Sequence, residues 1–180
     1  ALPILFSGKP FDQFLHDEIF EPLGMQDTGF FVPPDKQPRL PACYERRGNR
    51  KLVLQDDPAT SAYLSPPEFL SGGGGLVSTA HDYLRFAEML RRGGALDGVR
   101  LVSRKTVELM TQNHLPGNID LTQMAQGSFS ETPYEGVGFG LGFSINLGPG
   151  RTGAAGSAGE FAWGGAASTA FWIDPAEELT

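Results

Sequence analysis

The chain has 180 residues, a net charge of −7 and 40% hydrophobic content with thirteen phenylalanines, which suits a packed core and excludes a disordered segment. Its acidic balance and scattered basic residues argue against a nucleic-acid surface. One cysteine, Cys43, permits no intramolecular disulfide and falls short of a metal site, and no run approaches the ~20 apolar residues of a membrane span.

Pro10 suits the first turn of a helix, and Phe11, Phe14, Leu15 and Ile19 follow at helical spacing, with Pro22 and Gly24 ending the run. Met25 to Pro41 holds four prolines and is expected to be an irregular, ordered loop. Cys43 to Glu45 and Leu52 to Leu54 are read as short strands around a Gly48-Asn49 turn. That makes Arg46, Arg47, Arg50 and Lys51 the polar end of a hairpin rather than a phosphate-binding patch. Gln55 to Gly75, rich in Asp, Pro, Ser and Gly, is expected to wrap the surface.

The most informative phrase is Ser71-GGGG-LVSTAHDYLRFAEML-Arg91. Gly72 to Gly75 are expected to turn through positive φ. Thr79 and Asp82 are spaced as a capping box, and Tyr83, Phe86, Ala87 and Leu90 form the buried stripe of the helix that follows. Gly93 and Gly94 stop it, and Gly98 marks a turn. Ser103 caps a second helix carrying Val107, Leu109 and Met110, which ends near Asn113. Pro116 to Glu135 is polar, lacks periodicity and reads as a mobile insertion.

Val137 to Leu147 reads as one strand with Phe139, Leu141 and Phe143 on a common face. A Gly/Ala loop, Gly148 to Gly159, precedes a second strand, Phe161 to Ile173, turned by Asp174-Pro175. Helices set apart from an antiparallel sheet give an α+β fold. Residues 1–136 are expected to be helical with loops and 137–180 to hold the strands, together one fold unit.

Three phrases in order, Phe20-EPLGMQDTGFF-Val32, the glycine-rich helix start and Phe161-AWGGAASTAFWID-Pro175, resemble the serine β-lactamase-like superfamily of class C β-lactamases, penicillin-binding proteins and related carboxylesterases. The resemblance covers roughly residues 10 to 180. It implies a β-lactamase/transpeptidase-like fold and an acyl-enzyme mechanism, with a serine activated by lysine and tyrosine. The family's nucleophile lies in S-x-x-K, and here Lys9, Lys36, Lys51 and Lys105 have no serine three positions before them. Its tyrosine motif precedes the PLGM turn, whereas Tyr44, Tyr63, Tyr83 and Tyr134 all follow it. The resemblance therefore implies an incomplete fold: the C-terminal portion of such an enzyme, inactive alone, with nucleophile and base outside this chain. Self-association or a complementing chain is expected from the unpaired sheet edges that this leaves.

The same resemblance marks Trp163, Gly164 and Gly165, where the esterase branch often carries W-G-G. On that reading Trp163 lines the pocket, the glycines let an ester approach, and the backbone N–H of Ala166 supplies half an oxyanion hole. The alternative is a core aromatic beside a glycine bulge. Registered instead from Asp174-Pro175, Glu160 falls at the position of the family's Lys-Thr-Gly motif, and its charge would repel an anionic β-lactam. The expected substrate is a small-molecule ester; a β-lactamase or D-alanyl peptidase, or an inactive penicillin-binding-like module, are the rivals. His16, His81 and His114 are assigned structural roles, because no G-x-S-x-G accompanies them. No metal or cofactor is implied.

Overall fold

A computed structural model describes residues 2–48, 51–124, 134–165 and 167–180, divided into compact units Ala1–Tyr83 and Leu84–Thr180. The first unit opens with a short helix absent from the sequence reading, α1 (Leu2–Ser7), none of whose residues is buried. A second helical run joins α2 (Phe11–Leu15), a π-helical turn (His16–Phe20) and α3 (Glu21–Leu23). Pro22 does not end this run. Proline lacks an N–H and its ring crowds the carbonyl four residues back, and the wider π turn just before it makes room. Gly24 ends it at φ 68°, with Gly24 N–H on Glu21 O and Met25 N–H on Phe20 O, the paired bonds of a Schellman cap. Phe20, Leu23, Met25, Phe30 and Val32 form the buried core of this unit.

The four-proline loop contains a single 3₁₀ turn, Gln37–Arg39, and leads into the expected hairpin, β1 (Cys43–Arg47) and β2 (Lys51–Asp56). Of Gly72 to Gly75, only Gly75 takes positive φ, at 99°, so the run is less contorted than its composition suggested. Just beyond it, Val77 and Gly29 exchange backbone hydrogen bonds of 2.8 and 3.0 Å. Helix α4 (Ala80–Arg91) starts at Thr79, whose hydroxyl accepts from the Asp82 N–H at 3.2 Å. The reciprocal half of the capping box is replaced. Asp82, 3% exposed, instead takes the Asp27 N–H at 2.7 Å and the Thr28 hydroxyl at 2.9 Å.

In the second unit, Ala87, Met89 and Leu90 are buried on α4, which ends with Gly93 N–H on Leu90 O and Gly94 N–H on Met89 O. A side chain at Gly94 would strike the Val102 backbone, so that glycine is required by contact as well as by its φ of 91°. Strands β3 (Ala95–Leu96) and β4 (Val99–Arg100) turn through Asp97 and Gly98, both at positive φ as a two-residue hairpin demands. Ser103 caps α5 (Arg104–Met110) by accepting the Thr106 N–H at 3.0 Å. Helix α6 (Leu121–Met124) lies in the polar insertion, of which residues 125–133 fall outside the described residues.

The two long strands expected near the end are instead two hairpins. Residues 137–147 fold as β5 (Val137–Phe139) and β6 (Ser144–Asn146), closed by Gly140 N–H on Phe143 O with Gly142 at φ 100°. Phe143 is therefore buried while Leu141 sits in the turn, half exposed, so they share no face. After a short helix, α7 (Pro149–Thr152), residues 161–173 fold as β7 (Phe161–Gly164) and β8 (Ala170–Ile173). Two glycine turns thus convert apparent long strands into one antiparallel sheet of order β5-β6-β7-β8. Its core joins Ile145, Phe161 and Ile173 to Phe143, whose ring meets Phe161 at 5.1 Å and Phe171 at 6.1 Å.

Two stability outcomes follow from these contacts. Asp82→Ala strands the part-buried Asp27 amide and leaves the Thr28 hydroxyl only Ser78, and is expected to cost about 1–3 kcal/mol, against about 1 kcal/mol for Thr79→Ala, in urea denaturation. Glu88 is held by the Arg91 guanidinium, against the opposing effect of partial burial and with help from Arg92 and Thr180, at about 2 instead of 4.5. A depressed carboxylate stabilises above its unfolded value and loses that contribution as pH falls through the folded one. Wild type minus Glu88→Gln is therefore expected to be about 1–2 kcal/mol at pH 7, shrinking below about pH 4.5 towards zero near pH 2.

Candidate active site

Trp163 and Gly164 form the exposed end of β7, and Gly165 follows in the turn. Trp163 pairs with Phe171 and Gly164 with Ala170 across the β7–β8 hairpin. Gly165 donates its N–H to Thr169 O at 2.8 Å and accepts from the Ser168 N–H at 2.9 Å, which closes the turn. A Cβ on Gly165 would meet the Thr169 hydroxyl, which would have to turn away. Since the Gly165 N–H is committed, it is no free oxyanion donor. Ala166, assigned that role from the sequence, lies outside the described residues.

The Trp163 indole is 39% exposed and meets the Phe139 ring edge-on, centroids 5.0 Å apart at 76°. Sequence reading missed Phe139 as a partner, because a single long strand gave no reason to bring residue 139 to residue 163. Glu160 sits one position before β7, half-buried, with its carboxylate taking the Asn146 side-chain N–H at 3.3 Å. Its backbone carbonyl accepts from the Asn146 N–H at 2.8 Å, so Glu160 and Trp163 sit at opposite ends of β7.

His114 Nε2 lies 2.7 Å from Leu109 O at the end of α5, while His16 and His81 are exposed beside Asp17 and Asp82. His16, Asp17 and Glu21 bring possible ligand atoms within 4.8 Å of one another. The Lys9 ammonium already occupies Asp17 at 3.0 Å, which makes this an exposed ion-pair cluster.

The first unit contains its own cleft of about 780 Å³, lined among others by Phe30, Phe31, Val77, Ser78, Lys36 and Arg39. Several of its polar groups are committed to one another. Lys36 and Arg39 each reach Asp27 at 2.8 Å and hold that carboxyl far below the usual carboxylate range, the Arg39 contribution being larger. The Thr28 and Ser78 hydroxyls bond to each other at 2.7 Å. No helix among the described residues is long and apolar enough to cross a membrane.

The beta-lactamase family model matches residues 5–180. The chain belongs to this family. Its fold is that of the β-lactamase/transpeptidase-like serine hydrolases. Protein Rv1367c of Mycobacterium tuberculosis is 37% identical over 174 residues, covering 94% of this chain and 42% of that protein. The putative penicillin-binding protein PbpX of Bacillus subtilis is 29% identical over 128 residues, 69% of this chain and 28% of its own length. EstCE1, described as a hydrolase with promiscuous acyltransferase activity, superposes with TM-score 0.73 at 24% identity, over 97% of this chain and 45% of its own, a likeness of fold. A mutant of simvastatin synthase from Aspergillus terreus gives 0.72 at 26% identity, over 96% of this chain and 42% of that enzyme. The chain thus spans less than half the length of the relatives it matches.

A Cβ on Gly138 would overlap the Asn113 side chain. Gly138→Ala is expected to cost about 1–3 kcal/mol in thermal or urea unfolding and to move tryptophan emission, while the same change at exposed Gly150 does neither.

Proposed function

We propose that this chain supplies the pocket wall and part of the oxyanion hole of a serine hydrolase that cleaves esters through an acyl-enzyme, the nucleophile and base lying outside residues 1–180. The observation that carries this reading is Trp163-Gly164-Gly165 at the exposed end of β7 and just beyond it, with Trp163 39% exposed and two glycines beside it. An ester carbonyl needs close backbone approach and a donor aimed at the developing oxyanion, and glycines beside a strand turn allow both. The Ala166 N–H is assigned as that donor. The reading is compatible with the shared fold of EstCE1, described as a hydrolase with promiscuous acyltransferase activity, and of simvastatin synthase.

Glu160 is assigned the part of a charge filter. A half-buried carboxylate at the base of β7 opposes an anionic β-lactam and leaves a neutral ester untouched. The similarity to a putative penicillin-binding protein favours the rival, a β-lactamase or D-alanyl peptidase, and an inactive binding module is the third.

The test compares residues 1–180 with a protein extended to the length of its relatives. The short form is expected to leave 4-nitrophenyl butyrate intact, and the long form to hydrolyse it until a serine-directed phosphonate is added. In the long form Trp163→Ala is expected to lower kcat/KM by about 10–100-fold, and Glu160→Gln to raise β-lactam turnover relative to ester. Turnover by the short form, or a long form that prefers a β-lactam over the ester, would overturn the assignment.

A further inference from the structure

The loop after α5 clamps β5 at one residue. Phe139 donates its N–H to Asn113 Oδ1 at 3.0 Å, and its carbonyl accepts the His114 N–H at 2.8 Å. The Asn113 amide is saturated. Its Nδ2 donates to Asn118 Oδ1 at 2.8 Å and to Ile119 O at 2.9 Å, and its Oδ1 also takes the Leu115 N–H at 3.2 Å. A side-chain amide with two donors and two acceptor positions in use has one orientation open to it. Gly138 and Gly140 permit the close approach, since a Cβ on either would overlap Asn113 or the Met110 carbonyl. Leu141 N–H closes the far side on that same Met110 carbonyl at 2.8 Å. Phe139 is therefore fixed from both directions, and its ring meets Trp163 edge-on.

We infer that Phe139 is a specificity-determining residue, setting the tilt of the Trp163 indole and so the shape of the apolar wall offered to the acyl chain of an ester. The inference rests on the reading of Trp163 as pocket wall. An indole on a strand end swings broadly about its outer torsion, and an edge-to-face neighbour selects one setting. A fixed indole meets acyl chains of one length better than others. A loose one folds over the glycines or accepts chains without distinction. The other aromatic of this segment, Phe143, is spent in the core against Phe161 and Phe171 and has no such contact with Trp163 among the described residues. The sequence holds only two tryptophans, so Trp172→Phe leaves Trp163 as the sole reporter.

The experiment uses residues 1–180 carrying Trp172→Phe, alone and combined with Phe139→Ala, Phe139→Leu or Phe139→Tyr. Acrylamide quenching reports how firmly Trp163 is held. Energy transfer from Trp163 to methyl 11-(dansylamino)undecanoate reports binding of a long acyl chain, with no need for turnover. Phe139→Ala and Phe139→Leu are expected to steepen quenching about twofold and weaken probe binding by about two- to tenfold, with unchanged circular dichroism and rescue by Phe139→Tyr. The leucine and tyrosine pair keeps the test decisive if the alanine variant misfolds. A parent that binds the probe and Phe139 variants that bind it equally would overturn this inference alone. A parent that does not bind the probe would overturn it together with the wall reading beneath it. Rescue by leucine as complete as by tyrosine would reduce Phe139 to volume filling, which also overturns it.

Discussion

One buried carboxylate ties the loop at residues 27–28 to the start of α4. Asp82 is only 3% exposed, and its one close charged neighbour among the described residues is the exposed His81 ring at 3.5 Å. It is tolerable there because it accepts the Asp27 N–H and the Thr28 hydroxyl while standing at the positive end of α4. The same group thus offsets its own desolvation and ties a loop to a helix start. Val77 and Gly29 pair beside it, and Thr28 and Ser78 bond beyond that, so the lock is two backbone bonds and a chain of hydroxyls. The phrases around residues 20–32 and 71–91, separate in sequence, are the two halves of this lock.

That physical pairing explains what the sequence made legible and what it concealed. Helix α4, its threonine cap and its double-glycine stop were readable because each rests on neighbours within a few positions. Asp82 was readable as a capping residue and wrong in its partner, since a loop 55 positions away competes for the same carboxylate and wins by offering two donors. The π turn before Pro22 was hidden for the opposite reason. Proline is the strongest local signal for an end, and the π turn that makes room for its ring, with Phe20 and Leu23 buried on either side, is not written in any local pattern.

In the second unit the glycines carry the topology, and alternation of apolar residues misled. Phe139, Leu141 and Phe143 alternate as a strand face should, yet Gly142 at positive φ folds the run back on itself. Gly138 and Gly140 have a different task, making room for Asn113 and the Met110 carbonyl, which no local pattern reveals. For the candidate site this distinction is decisive. W-G-G was visible as a phrase, and family resemblance gave it a reading. The aromatic neighbour that positions its indole became visible only once the strand was known to be a hairpin.

Electrostatics separates the two substrate classes under the proposed reading. The chain is acidic overall, and Glu160 places a half-buried negative charge at the base of the strand that carries Trp163. A carboxylate some 8–10 Å from it feels about 0.5–2 kcal/mol of repulsion across effective dielectric constants of 20 to 80, a several-fold disadvantage before any contact is made. An uncharged ester feels none of this and meets an indole and glycines instead, an apolar and yielding surface. The Asn146 amide bonds to the Glu160 carboxylate and keeps it from turning freely, so the charge stays at its end of β7. On the proposed reading, a surface of this sign favours neutral acyl donors over anionic ones.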